Sequence, residues 1–201
     1  MSAETVIFVS RLIVPLCASL VLTAVALNFA LAADSGAVKV RTRSPVATAS
    51  MLAFLLAVYV LIHRHIGDFR VFSNAISAGI AAAGAALVAA GGIVNVLGRI
   101  RLGGNWANQV TVYEDQTLVS TGVFGLVRHP LYASLIWMFV GASLVYQNGA
   151  ALAATMLIFV PAMQYRASLE EQLLARQFPE YASYQTRVGR LFPRIWRKVR
   201  P

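Results

Sequence analysis

The chain has 201 residues, of which 58% are hydrophobic and only 12% charged, and its mean hydropathy of +0.67 lies outside the range of ordinary soluble globular domains. Those values exclude a water-soluble enzyme and predict an all-α integral membrane protein. The formal net charge of +9 raises nucleic acid as a partner, but the basic residues are distributed as membrane topology demands, so no nucleic acid is expected.

About 17 to 25 mostly apolar residues cross the hydrocarbon core as a helix, and five segments read this way: 6–32, 46–62, 76–97, 132–146 and 150–165. The first carries a second reading, because Ala30-Leu31-Ala32 before Ala33-Asp34 resembles a signal-peptidase site. Glu4 in place of a basic cluster, an apolar run longer than a signal core, and the interruptions at Arg11 and Pro15 favour a retained span, with Arg11 snorkelling to the interface. Cys17, the single cysteine, lies inside this helix and reads as packing. His63, His65 and Asp68 follow the second span; three polar residues at a helix end read as solvated rather than as metal ligands, and no metal is expected. The third span is rich in small residues (Gly79, Ala83, Gly84, Gly91, Gly92), which let helix backbones approach where lipid offers no hydrophobic drive for association. No strand precedes these glycines, so they are not a dinucleotide-binding turn.

Residues 99–131 form the longest segment between spans, and loops of that length in a compact protein are usually functional. Gln109 to Tyr113 alternates like a strand, and Trp106 and Tyr113 suit an interfacial aromatic belt. The polar run Arg128-His129-Pro130-Leu131-Tyr132 then opens the fourth span, with Pro in the first turn where its missing N–H costs nothing. Only Gln147-Asn148-Gly149 separates the fourth and fifth spans, which predicts a tight antiparallel hairpin over 132–165. A second polar run, Arg166-x-x-x-Glu170-Glu171, opens a helix; Arg166 and Glu170 share a face, and Leu169, Leu173, Leu174 and Phe178 supply an apolar side. Phe178-Pro179-Glu180-Tyr181 breaks that helix and starts another, and Pro193 closes the ordered part.

With five spans, one face receives Lys39, Arg41, Arg43, Arg99, Arg101, Arg128 and the eight Arg or Lys residues from Arg166 onward, 14 of the 17 basic residues. The positive-inside rule then puts the N-terminus outside and both polar runs, with the C-terminus, in the cytoplasm. The Arg-rich end of the chain, from Arg187 to Arg200, is expected to meet anionic headgroups. The organisation this predicts is a single membrane domain over 1–201, with three N-terminal helices in 1–98 and a core in 99–195 that holds the hairpin and the C-terminal helices.

Ionisable residues beside a membrane are functional by default. An Arg and two Glu at the end of the last span, opposite a His-Pro helix start on the span packed against it, make a cavity suited to a charged, amphiphilic molecule. Read alone, the first run is an ordinary helix start and the second an ordinary ion pair worth a few tenths of a kcal/mol. Their pairing across the hairpin favours a site.

The C-terminal half resembles the isoprenylcysteine carboxyl methyltransferase family, and more distantly the phospholipid N-methyltransferases. The resemblance rests on Gly103-Gly-Asn-Trp106 ahead of Gln109, Thr117-Leu-Val-Ser-Thr-Gly122-Val-Phe124, Arg128-His129-Pro130-Leu131-Tyr132, Arg166-x-x-x-Glu170-Glu171, and Phe178-Pro-x-Tyr181-x-x-Tyr184-x-x-Arg187 leading to Arg190-Leu-Phe-Pro193. It covers roughly residues 95–195, and the order and spacing of the pieces carry it. It implies a membrane-embedded methyltransferase that uses S-adenosylmethionine. Carried over, the cofactor contacts are Gln109, Gln116, Thr117, Leu118, Val119, Phe124, His129, Pro130, Leu131, Tyr132 and Glu170, and the acceptor contact is Arg166. The expected catalytic group is Arg166, Glu170 and Glu171. Phe124 stands where the family commonly has an aromatic hydroxyl, which keeps a stacking contact and removes a hydrogen bond.

Methyl transfer from a sulfonium is an in-line displacement in which the protein mainly positions the acceptor. A carboxylate acceptor needs no base, and Arg166 can hold one bidentately. Glu170 suits the cofactor's ammonium or ribose, and backbone amides near His129 to Tyr132 suit its carboxylate. An amine or thiol must lose a proton, with His129 or Glu171 as candidate base. The expected partners are therefore the lipid bilayer and a small or lipid-linked acceptor, carboxylate ahead of amine or thiol. The alternative from another class is a non-enzymatic scaffold or transporter subunit.

Overall fold

The computed structural model describes residues 1–31, 38–42, 45–69, 73–103, 110–113 and 117–194. It is nearly all helical, in the order α1 (Ala3–Leu31), β1 (Val38–Thr42), α2 (Pro45–His63), α3 (Asn74–Leu102), β2 (Val110–Tyr113), a 3₁₀ turn (Gly122–Gly125), α4 (Pro130–Val145), α5 (Gly149–Ala154), α6 (Val160–Gln177) and α7 (Tyr181–Arg187). Among the described residues three helices are long and apolar enough to cross a membrane: Ala3–Asn28, Asn74–Leu102 and Gly149–Gln177. Met51–His63 and Pro130–Val145 are shorter apolar helices. The protein is an integral membrane protein.

Two features differ from the sequence reading. The strand-like alternation before Tyr113 does form a strand, and it pairs antiparallel with β1 in the register Arg41↔Thr111 and Thr42↔Val110. The last span does not stop at 165. Gly149–Gln177 is one continuous helix in which a π turn (Thr155–Phe159) precedes Pro161, so the ring that lacks an N–H is absorbed without a break. The second polar run is therefore the continuation of a membrane helix rather than the start of a new one.

α3 is central, packing against α4 on one side and α1 on the other. The glycines make this possible. A Cβ on Gly84 would sit 2.6 Å from the carbonyl oxygen of Gly141, and one on Gly141 would sit 2.5 Å from that of Gly84, so the α3 and α4 backbones touch where each has no side chain. Gly92 faces α1, where a Cβ would meet that of Cys17 at 3.5 Å, which gives the lone cysteine the packing role expected of it. Farther along, the buried Asn95 amide donates to Ser134 Oγ (2.8 Å) and its oxygen accepts from Arg99 Nε (2.9 Å), a polar tie between α3 and α4 that the sequence did not single out.

Hydrogen bonds define two opposite ends of the bundle. At one, the β1–β2 ribbon joins the segments that follow α1 and α3. At the other, the hairpin turn is tied to the segment after α2. Asn148 donates to Ile66 O and Asp68 Oδ1, both at 2.9 Å, while its own oxygen caps α5 by accepting from Ala151 N at 2.7 Å. Asp68 also accepts from His65 at 2.8 Å, and among the described residues no group of three potential metal ligands forms. Arg11 lies over the Tyr146 ring, 5.9 Å from its centroid, so its charge is spent on the end of α4. Between α2, α4 and the α5–α6 rod, Phe54 stacks on Phe159 (4.8 Å) and meets Phe139 edge-on (5.3 Å), over a core that contains Val127, Met163 and Leu191.

Candidate functional site

The two polar runs meet. His129 is the N-cap of α4, Pro130 occupies the first turn, and Tyr132 follows on the face turned toward α6. On α6, Glu170 and Glu171 are adjacent in sequence and so point about 100° apart around the helix. That angle separates their environments.

Glu171 is the hub of a buried ion cluster, 4% exposed. Its Oε1 accepts from Arg128 Nη2 (2.8 Å) and Nε (3.0 Å), from His129 Nε2 (3.1 Å) and from Arg190 Nε (3.1 Å). Its Oε2 accepts from Arg190 Nη2 at 2.6 Å and Gln185 Nε2 at 3.4 Å. Glu170 is the more open carboxylate, its side chain 26% exposed. It accepts a hydrogen bond from the Tyr132 hydroxyl and faces His129 Nδ1 at 3.4 Å. Tyr132 in turn accepts from Arg166 Nε at 3.0 Å, with the Arg166 guanidinium over its ring at 5.8 Å. Arg166 also reaches Met51 Sδ on α2, 3.5 Å from Nη1.

Both ring nitrogens of His129 therefore face carboxylates. Burial pulls the imidazole pKa down, but the hydrogen bonds and charges of Glu170 and Glu171 outweigh it and the net direction is upward. Arg190 also titrates higher than usual, because it is hydrogen-bonded to Glu171. Burial pushes Tyr184 up to about 12, so it stays protonated and donates to the carbonyl of Phe124 at 2.6 Å.

The C-terminal segment closes the site from outside the helices. Arg128 N donates to Gly189 O (2.8 Å) and His129 N to Arg190 O (3.0 Å), a strand-like strap along the start of α4. Arg128 Nη1 donates to the carbonyls of Val188 and Gln185. Gly189 is required for the turn, since a Cβ there would lie 2.0 Å from Phe192 O. The strap uses the His129 amide, one of those expected to receive a ligand carboxylate. First-turn amides of a helix have no intrahelical partner, and Pro130 has none to give, which leaves those of Leu131 and Tyr132.

His129, Pro130, Leu131, Tyr132, Arg166, Glu170 and Glu171 thus form one constellation. Leu118 packs against the Phe178–Tyr181–Tyr184 cluster, and the buried Phe124 is held by Tyr184, so the loop side of the expected cofactor pocket is built on α7. Thr117 is exposed, and Val119 is partly buried. Gln109 and Gln116 lie outside the described residues. Arg190 and Gln185 were not expected at the site; the only signal for Arg190 was its place in the Arg190-Leu-Phe-Pro193 string.

The described helices thus gather an Arg, a Tyr, a His and paired Glu residues at one end of a membrane helix bundle. The phospholipid methyltransferase family model matches residues 80–181, and the chain belongs to that family. It is 33% identical over 76 residues to protein-S-isoprenylcysteine O-methyltransferase of Saccharomyces cerevisiae, covering 37% of this chain and 32% of that protein. It is 36% identical over 84 residues to the cobalt-zinc-cadmium resistance protein CzcN of Cupriavidus metallidurans, covering 41% of this chain and 38% of that one. It is also 36% identical over 80 residues to the nickel-cobalt-cadmium resistance protein NccN of Alcaligenes xylosoxydans xylosoxydans, covering 39% and 37%. The matches thus span 32% to 38% of the length of these relatives. The fold is similar to that of the eukaryotic intramembrane Ras methyltransferase ICMT, with a TM-score of 0.54 at 21% identity over 78% of this chain and 55% of that one.

Methyltransferases of this kind use a methyl donor, usually S-adenosylmethionine, and the donor set here fits one. Glu170 keeps an exposed edge that suits an ammonium or a ribose hydroxyl. The free first-turn amides of α4 suit a carboxylate.

Proposed function

We propose that the chain is a membrane-embedded methyltransferase that moves a methyl group from S-adenosylmethionine to a lipid-like or small acceptor, most favourably a carboxylate. When bound, the cofactor supplies an electrophilic sulfonium methyl. Glu170, His129, Tyr132 and the α4 amides bind it, Pro130 and Leu131 shape the turn that presents those amides, and Thr117, Leu118, Val119 and Phe124 complete the enclosure; the family resemblance adds Gln109 and Gln116 as cofactor contacts. Arg166 holds the acceptor. The positive-inside distribution supports a cytoplasmic site and C-terminus with the N-terminus outside.

The observation that carries the acceptor class is the saturation of the candidate bases. Glu171 accepts from four side chains, and His129 lies between two carboxylates that favour its charged form. Neither is poised to take a proton from an amine or thiol. A carboxylate gives up none, and Arg166 can aim one of its oxygens while the donor is held on Tyr132 and Glu170. Glu171 acts in this reading by organising the cluster rather than by touching the reacting atoms. The test is transfer of a radiolabelled methyl from S-adenosylmethionine to membrane extracts. Product that base treatment releases as volatile methanol marks a methyl ester; label that survives base in the phospholipid fraction would replace the carboxylate with an amine, and no transfer with no S-adenosylhomocysteine binding would leave the scaffold reading.

A further inference from the structure

Beside the ion cluster, on the outer side of the strap, lies an open cleft of about 620 Å³ whose walls include Arg128, Arg190, Arg194, Val188, Phe192 and Pro193. Three guanidiniums line it, and the carboxylate that touches this group, Glu171, is shared by Arg128 and Arg190. The local balance of these groups is a surplus of positive charge. Arg128 is used up by Glu171 and two backbone carbonyls. Arg190 and Arg194 are not. Arg190 spends Nε and Nη2 on Glu171, and Arg194 spends Nη1 on the carbonyls of Thr186 and Gln185. Among the described residues nothing bonds Arg190 Nη1 or Arg194 Nε and Nη2. Each guanidinium is thus fixed along one edge and presents the other, so little side-chain entropy is lost when an anion arrives.

The opposite wall is apolar. Phe192 is 58% exposed although its neighbour Leu191 is anchored in the core at 1%, and Pro193 and Val188 extend that surface. The cleft lies between Arg128, two residues before the apolar helix α4, and the segment that follows α7, and no acidic residue follows Glu180 in the sequence while Arg197, Lys198 and Arg200 do follow. A small soluble anion would use the guanidiniums and leave the apolar wall idle.

We propose that this cleft is a binding site for the phosphate headgroup of an anionic phospholipid, seated between Arg190 and Arg194 with its glycerol and upper acyl chains against Phe192 and Pro193. The site is separate from the Arg166–Tyr132 acceptor edge and stands whether or not the methyl acceptor is a lipid. Arg190 is bonded to Glu171, which also bonds His129.

The experiment is native mass spectrometry of the full chain in detergent with phosphatidylglycerol or phosphatidylcholine added. Wild-type protein is expected to retain phosphatidylglycerol selectively. Arg194→Gln removes a charge-assisted contact and is expected to weaken that retention about tenfold, leaving phosphatidylcholine binding unchanged, whereas Arg187→Gln, which changes an equal charge outside the cleft, has no such effect. Equal losses in the two variants, or none in either, would overturn the proposal. So would displacement of the lipid by glycerol phosphate or inorganic phosphate at matched concentration, which would make the site one for free phosphate.

Discussion

Changing Glu171 to Gln separates a structural carboxylate from a chemical one. The substitution keeps the shape of the side chain and one carbonyl acceptor but removes the negative charge that faces Arg128, Arg190 and His129. The Arg128 side chain is only 10% exposed, so its charge would be left with carbonyls alone. Breaking one partner out of a buried pair typically costs about 3–5 kcal/mol; Arg190 is 36% exposed and solvent relieves part of its share. The expected loss is therefore about 3 kcal/mol, at the low end of that range. It is read as a lowered unfolding midpoint in mixed micelles, together with faster proteolysis of the strap after Val188, since Arg190 is released. Glu170→Gln, which removes a half-open carboxylate, is expected to cost less than about 1 kcal/mol. If Glu171→Gln proved as stable as wild type yet lost turnover, the carboxylate would act on the reaction directly and its structural role would be refuted.

Three further outcomes are expected. Glu170→Gln or His129→Ala weakens S-adenosylhomocysteine binding about tenfold by calorimetry, the value of one charge-assisted contact, while Arg166→Ala leaves that affinity in place and abolishes turnover; equal loss of affinity in all three variants contradicts this division of roles. Gly141→Val forces a Cβ to within 2.5 Å of the Gly84 carbonyl and should prevent α3 and α4 from docking, seen as loss of the monodisperse species on size exclusion. The His129 pKa is raised in the native state, so its charge stabilises the fold fully below about pH 6.5, the unfolded value, and that contribution is lost as pH rises through the native pKa. Unfolding midpoints measured from pH 6 upward should fall over that window in wild type and stay level in His129→Gln.

The hairpin was legible because its two apolar runs and three-residue turn permit little else, and the close α3–α4 approach because glycine in a membrane span has few other uses. The pairing of His129 with the two Glu residues followed from that hairpin. Other features depend on tertiary context. A four-residue alternation at 110–113 has no partner until α1 and α3 end on the same side and bring β1 beside it. The end of the last span was misplaced because hydropathy drops at Arg166 while helix propensity does not, and Val160–Gln177 contains no helix breaker after its first turn. Arg190 was invisible as a site residue because nothing in a run of C-terminal arginines distinguishes the one that turns inward; the glycine before it, with no room for a Cβ, makes that turn.

Adjacent acids on one helix are usually read as redundant, but here the helix itself divides their labour. A step of about 100° carries Glu171 toward the strap and Glu170 toward Tyr132 and Arg166. Buried beside two guanidiniums, Glu171 can hold His129 in place only because Arg190 arrives from the far end of the chain to balance it. Glu170, held among the described residues only by Tyr132 and His129, keeps an open edge. A carboxylate committed to two arginines cannot also rearrange around a ligand, and one without a structural partner would leave the His129 ring unfixed. The pair solves both requirements with consecutive residues on the continuous 29-residue helix from Gly149 to Gln177.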